Sequence, residues 1–308
     1  MINLVSFALT LPMQRLVYIL VYPIIWIISI FPMRLLYFVS DMAFFLIYYI
    51  IGYRRKVVKE NLVLVFPEKS EKEIKTITRK FYHHLCDMIL ESIKSLSISE
   101  AELKKRYKFT NVDEILNLEK QNKSIILMMG HYASWEWLFI LQKYVNHKGY
   151  AVYKKIENKY FDRLVKRIRA KHQTQLITNK ETIRRLEAAK IRGELTINGF
   201  ISDQSAKHWK TNHWQEFMGV KVPVITGAEM LAKKLDMAVV FVETKKVKRG
   251  YYETTFKTIA LHPRAHNDFD ITDIFLKLVE GQIREEPAYY LWTHKRWKYR
   301  DKVPPEFQ

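Results

Sequence analysis

Ile125 to Met129 is an unbroken run of five apolar residues, closed by Ser124 on one side and by Gly130-His131 on the other. A strand with one wet face alternates polar and apolar residues, whereas a continuous run is expected of a strand covered on both faces. A strand of that kind needs helices above and below it, so the run points to an α/β layered fold. In such sheets ligands bind beyond the carboxyl ends of the strands, where Gly130 permits a tight exit and His131 arrives next. Trp135 to Gln142 then reads as a helix with Ser134 as its N-cap. That places Glu136 in the first turn, where the helix dipole favours an ionised carboxylate.

His131 and Glu136 lie five positions apart, about 500° of rotation on an uninterrupted helix, so they meet only if His131 precedes the helix. In that arrangement they form a base and its orienter, the carboxylate fixing the imidazole tautomer and stabilising the imidazolium. The spacing alone is a weak signal. With 10 His and 32 Asp+Glu in 308 residues, about one such pair arises by chance, and a half-buried histidine beside a capping carboxylate produces it equally well.

Further strands are expected at Tyr150–Tyr153, at Glu194–Gln204, which delivers Asp203 and Gln204 to the same edge as His131, and at Met237–Val242. The last turns through Arg249-Gly250 into Tyr251–Ile259 as a hairpin. Ser70 and Glu73 form a capping box opening a helix to about Leu96, with Ile74, Ile77, Phe81, Leu85 and Met88 as its core face and Cys86 buried. His83 and His84 on that helix have solvent or packing roles. Asn158–Lys171 reads as a helix with a basic face of Arg163, Lys166 and Arg167, and Thr226 with Glu229 as a capping box whose N–H groups suit a phosphate. Ile271–Ile283 is the last helix.

The uncharged run Leu16–Phe31 spans about 24 Å as a helix, slightly short of the ~30 Å hydrocarbon core, and Pro23 would kink it. It reads as an anchor. Leu35–Ile51, which carries Asp41, reads as a second helix at the interface or packed on the domain. Arg54-Arg55-Lys56 then sets that end on the cytoplasmic side. Residues 1–52 are therefore expected to form a membrane-seated part and 53–308 a cytoplasmic-side α/β domain. The excess of 51 Lys+Arg over 32 Asp+Glu, net +19, implies an anionic partner, and the apolar N-terminus selects a membrane over nucleic acid. A single cysteine excludes an internal disulfide framework, no Cys/His cluster has zinc spacing, and there is no glycine-rich nucleotide loop. No metal and no cofactor is expected. His208, Trp209, His213 and Trp214 read as an interfacial lip, and the aromatic-cation alternation of Tyr290–Arg300 as a headgroup-level belt.

Gly130-His131-Tyr132-Ala133-Ser134-Trp135-Glu136 resembles the Gly-His-x4-Asp/Glu block of the glycerolipid acyltransferase superfamily, closest to its late lipid A acyltransferase branch. Further similar blocks are Gly52–Leu62 running to Phe66-Pro67-Glu68, Asn158 to Arg169, Glu194 to Gln204, Phe217 to Glu229, and the terminal block. Together they extend from about Leu11 to Arg300. The resemblance implies a mixed central sheet flanked by helices, with an N-terminal membrane anchor helix, in a bacterial inner membrane enzyme. Its catalytic pair would be His131 and Glu136, with Arg169, Asp203, Gln204, Thr226 and Gly227 binding substrate. The implied reaction takes a fatty-acyl chain from acyl carrier protein to a hydroxyl of an anionic lipid A precursor. A lysophospholipid or aminolipid acceptor is the alternative within the same chemistry, and a non-catalytic protein that binds anionic membranes is the alternative outside it.

Overall fold

The computed structural model describes residues 10–307; the first nine residues of the segment expected to seat in the membrane, and Gln308, lie outside it. Nine strands are present among the described residues: β1 (Tyr107–Phe109), β2 (Ile125–Met129), β3 (Lys148–Tyr153), β4 (Gln175–Thr178), β5 (Thr196–Ile201), β6 (Trp214–Phe217), β7 (Val220–Pro223), β8 (Ala238–Lys248) and β9 (Tyr251–Ala260). Seven form a mixed sheet in the order β1-β9-β8-β2-β5-β3-β4, in which only the β8–β9 hairpin is antiparallel. β2 is fully buried along its length between β5 and β8, as its apolar run requires. β6 and β7 make a separate hairpin across Met218-Gly219, both with positive φ, the backbone of a two-residue type I′ turn.

The helices are α1 (Leu11–Ile30), α2 (Met33–Phe45, continued by a π-helical turn Leu46–Ile51), α3 (Arg55–Val65), α4 (Glu71–Lys94), α5 (Glu100–Arg106), α6 (Asp113–Lys120), α7 (Lys159–Ala170), α8 (Thr182–Ile191), α9 (Gly227–Leu235) and α10 (Asp270–Glu285). α10 backs β2, with Val279 3.1 Å from where a Gly130 Cβ would stand. α4 begins at the expected box: Ser70 Oγ accepts from the Glu73 amide and the Glu73 carboxylate accepts from the Ser70 amide. Cys86 is buried in this helix.

α1, and α2 taken with its π-helical continuation to Ile51, are long and apolar enough to cross a bilayer by length and composition, and both also dock on the domain. α2 turns Leu36, Ser40, Phe44 and Tyr48 inward at four-residue spacing and leaves Leu35, Phe38, Met42 and Phe45 exposed. Its Tyr37 lies over the β8–β9 turn so closely that a Cβ on Gly250 would stand 1.9 Å from the hydroxyl. α1 stays helical through Pro23. It meets α7 where Tyr18 stacks on Tyr160 and where Asn158 donates to the Gln14 carbonyl at 3.2 Å. It meets the end of α4 where Lys94 donates to the carbonyls of Ser29 and Phe31.

Three expectations are corrected. Trp135–Gln142 is not an α-helix capped by Ser134: a 3-10 segment occupies Trp137–Lys143 with Glu136 at its N-cap and Ser134 buried. Thr226 and Glu229 form no capping box. The Glu229 carboxylate instead accepts from the amides of Phe269 and Thr272 and caps α10. The Tyr290–Arg300 segment is no headgroup belt, because Tyr290, Trp292, Arg296 and Trp297 are buried and Trp297 stacks between Trp292 and Phe217. Its aromatics complete the core rather than meet lipid. Of the expected lip, Trp209 is exposed, whereas Trp214 is buried and His213 binds Asp273.

Candidate active site

Parallel pairing sets the site. β2 and β5 are in register from Ile125 opposite Ile197 to Met129 opposite Ile201, an offset of 72 that continues past the strand ends. The Ser202 amide still donates to the Met129 carbonyl at 3.2 Å, and two positions further His131 and Asp203 stand side by side. The Asp203 carboxylate receives His131 Nδ1 at 2.7 Å and the His131 amide at 3.0 Å. The residue that orients the histidine is therefore Asp203, and Glu136 is not in contact with the ring. Glu136 is held instead by Arg169 of α7, which grips it with two nitrogens, Nε at 3.0 Å and Nη2 on the other oxygen. Such a fork-to-fork pair fixes both side chains.

The loop carrying His131 is clamped by the C-terminal segment. Tyr132 bridges antiparallel to Tyr290, the Ala133 amide donates to Tyr289, and the Leu291 amide donates to the His131 carbonyl. Ala133 sits at φ 50°, a left-handed conformation that these bonds maintain. Burial by itself would raise the Asp203 carboxyl. The His131 ring, the His131 amide and the nearby Arg296 together hold it below the ordinary carboxylate range. Arg296 is 1 % exposed, with Nε and Nη2 unpartnered, and burial lowers its own pKa. Burial also pushes His294 down to about 4 and keeps that ring neutral.

With an ionised Asp203 accepting from Nδ1–H, the lone pair of His131 lies on Nε2. Gln204 places its amide nitrogen 3.2 Å from that atom. Trp135 meets the ring edge-on at 5.2 Å. The arrangement is that of a general base: oriented by a buried carboxylate on one nitrogen, able to accept a proton on the other.

Trp135, whose ring meets His131, also lines an apolar cavity of about 640 Å³, part of it open to solvent. Its walls are Leu127 and Met129 of β2, Ala151 of β3, Gly199 and Ile201 of β5, and Leu138 and Phe139 of the 3-10 segment. Arg169 lines it as well, with its guanidinium 5.5 Å from the Phe139 ring. A cavity with this apolar lining and one guanidinium suits a hydrocarbon ligand with one polar end.

The structure thus brings together His131, Asp203 and Gln204, and beside them Glu136 with Arg169. No hydrogen bond or cavity wall joins Thr226 or Gly227 to this cluster; the Thr226 hydroxyl turns to Met230. Among the described residues no group of three His, Cys, Asp or Glu side chains is placed to hold a metal ion. Sequence reasoning set Asp203 on the same edge as His131 and did not pair the two. The signal available was the strand count: two expected strands end at His131 and Asp203, and parallel neighbours bring such ends together. Arg296 and the clamp at Tyr289–Leu291 had no signal of that kind.

A model of bacterial lipid A biosynthesis acyltransferases matches residues 6–299. Over 258 residues, 82% of this chain and 81% of the relative, the sequence is 25% identical to the lipid A biosynthesis lauroyltransferase of Escherichia coli (strain K12). Over 252 residues, 80% of this chain and 79% of the relative, it is 21% identical to the lipid A biosynthesis palmitoleoyltransferase of the same organism. It matches the lipid A biosynthesis acyltransferase of Shigella flexneri to the same extent.

Proposed function

The chain belongs to the bacterial lipid A biosynthesis acyltransferase family, and from that premise we propose that it moves a fatty-acyl chain from an acyl carrier protein thioester to a hydroxyl of a lipid A precursor. His131 Nε2 takes the proton of the acceptor hydroxyl, displacing the Gln204 amide, while Asp203 holds Nδ1–H and stabilises the imidazolium. The alkoxide attacks the thioester carbonyl. That attack forms the ester C–O bond; collapse of the tetrahedral intermediate re-forms the carbonyl, breaks the C–S bond and releases the thiolate, to which the imidazolium returns its proton. No covalent acyl-enzyme is needed. Arg169, with two nitrogens held by Glu136, presents its third to the developing oxyanion or to a donor phosphate. Glu136 contributes by aiming that arginine.

The observation that carries this reading is the 2.7 Å contact of His131 Nδ1 with buried Asp203, next to Trp135, which lines an apolar cavity. The enzyme associates with the membrane. Residues 1–52 are proposed as its seat on the cytoplasmic face of the inner membrane, with Arg54-Arg55-Lys56 at the boundary and the basic surface receiving the acidic carrier. The test is mass spectrometry of lipid A and total lipids from a strain lacking the gene and from strains carrying His131→Ala or Asp203→Asn. Each is expected to lack the same secondary acyl chain. A full complement of lipid A chains, with a change confined to phospholipid, would overturn the assigned acceptor.

A further inference from the structure

The cavity beside His131 has a floor as well as a mouth. Its sheet-side wall is built from alternate residues that share one face: Leu127 and Met129, Ile197, Gly199 and Ile201, Gly149 and Ala151. The register sets Gly149 opposite Ile197 and Ala151 opposite Gly199, so three very small residues sit together under the 3-10 segment. They leave a shaft there. At Gly199 a Cβ would meet its nearest neighbours, Met129 Cε and the Tyr150 carbonyl, at 3.9 Å, an ordinary contact distance with no clash. At Gly149 the reverse holds. A Cβ there would stand 1.9 Å from Gln142 Oε1 and 3.2 Å from Thr174 Oγ1. Gln142 is pinned in that position by its amide, which donates to the His147 carbonyl at 2.6 Å. Its carboxamide closes the shaft at the amino ends of the strands, opposite the end where His131 stands.

We propose that Gln142, seated on Gly149 beside Thr174, is the stop that measures the acyl chain, and that the shaft accepts an unbranched chain of about twelve carbons; this rests on the acyl-transfer reading of the site. The depth follows from strand geometry. From Ile201 at the mouth to Ile197 at the floor is four residues, about 13 Å at roughly 3.3 Å each. An extended chain advances about 1.3 Å per methylene for C–C bonds of about 1.5 Å at tetrahedral angles, so about ten methylenes fill that length. The carbonyl and its neighbouring carbon remain at the mouth, within reach of the base. A longer chain must push its end into the Gln142 carboxamide and break the bond to His147. A shorter one leaves apolar wall uncovered.

The experiment offers the full-length protein in mixed phospholipid micelles a lipid A precursor and an equimolar mixture of acyl carrier protein thioesters from eight to sixteen carbons. Products are read by mass. The wild type is expected to favour the twelve-carbon donor. Gly199→Leu, whose side chain can only project into the shaft, is expected to shift the optimum at least two carbons shorter and to cut transfer of the twelve-carbon chain tenfold or more, as methylene-scale misfits do. Gln142→Ala removes the stop and is expected to raise transfer of the longer donors relative to the twelve-carbon one by about tenfold. Ala151→Leu, one strand away, repeats the shortening should Gly199→Leu fail to fold. A wild-type optimum at sixteen carbons overturns the assignment without any variant, as does an unchanged profile in Gln142→Ala and either shaft variant. Absence of product from the wild type with every donor instead overturns the acyl-transfer reading itself.

Discussion

Replacing Asp203 by Asn keeps the shape of the side chain and removes the charge that fixes His131. The carboxamide can donate to Nδ1 and so favours the tautomer whose lone pair faces away from the substrate. Turnover is expected to fall by about 10²–10⁴ while KM for the acyl donor changes little, measured on protein whose melting temperature is unchanged. Glu136 acts at a different place. Because it touches Arg169 and not His131, removing either member of the pair should disable the same element. Glu136→Ala, Arg169→Ala and the double variant are expected to share one rate deficit within a few-fold, a non-additivity expected of residues acting as a unit. Additive losses in that cycle would return Glu136 to the histidine. Arg169→Lys is expected to reduce turnover as well, since the ammonium keeps the charge and loses the fork. Which acid meets the histidine was not readable from local spacing. The His131–Glu136 interval describes neighbours along the chain, whereas the bond to Asp203 is made by two strands whose pairing the interval does not contain.

α4 carries the load of joining the apolar N-terminal helices to the sheet. Asp87 on this helix binds Ser40 of α2 and Arg249 of the β8–β9 turn, and Glu91 one turn later accepts from Tyr37 of α2 and Tyr252 of β9. The Glu91 carbonyl also receives Trp137 Nε1, next in sequence to Glu136. Burial pushes the Glu91 carboxyl up to about 7, against the pull of Lys246 and the two tyrosine hydroxyls. Between its unfolded value of 4.5 and about 7 the folded protein therefore holds a proton that the unfolded chain lacks. Stability falls as pH rises through that window and is level above it, a loss of roughly 3 kcal/mol. Glu91→Gln is expected to flatten the melting temperature between pH 5 and 8 relative to wild type; an identical slope in both proteins would remove Glu91 as the cause. α4 itself was legible, because a capping box and a long amphipathic stripe are local signals. β1 and β4, three and four residues long, were not. Such short edge strands exist through the neighbour they pair with, and their own residues alternate too briefly to announce them. The 3-10 segment escaped for a related reason: its apolar spacing fits an α-helix equally well, and spacing alone does not separate the two.

The net charge of +19 belongs to the molecule as a whole. Arg163 and Arg167 are exposed on α7, while Lys166 on the same face is held by Asp162 at 3.2 Å. Raising salt to a few hundred millimolar contracts the Debye length to below about 8 Å, so the apparent KM for the carrier-bound donor is expected to rise with turnover at saturation unchanged. Arg163→Glu and Arg167→Glu should each reproduce that rise at low salt; loss of saturating turnover in either would move that residue from surface to site. The layered sheet and the long apolar N-terminal helices were both legible, since the first follows from an apolar strand run and the second from an uncharged helix length. The strand order was not, because it depends on which crossovers the chain takes. That order has a consequence in time. β2 lies between β5 and β8, and neither exists when β2 leaves the ribosome. At about 5–20 residues per second, the first residues that pair with β2, those of β5, follow it by roughly 4–14 s, an interval set by the offset of 72. For that period the most apolar strand of the sheet is without a neighbour, while α1 and α2, already synthesised, can be drawing the chain toward lipid. The yield of active enzyme is therefore expected to depend on the pace of translation between Met129 and Ile201, in a way that the turnover of the finished protein does not.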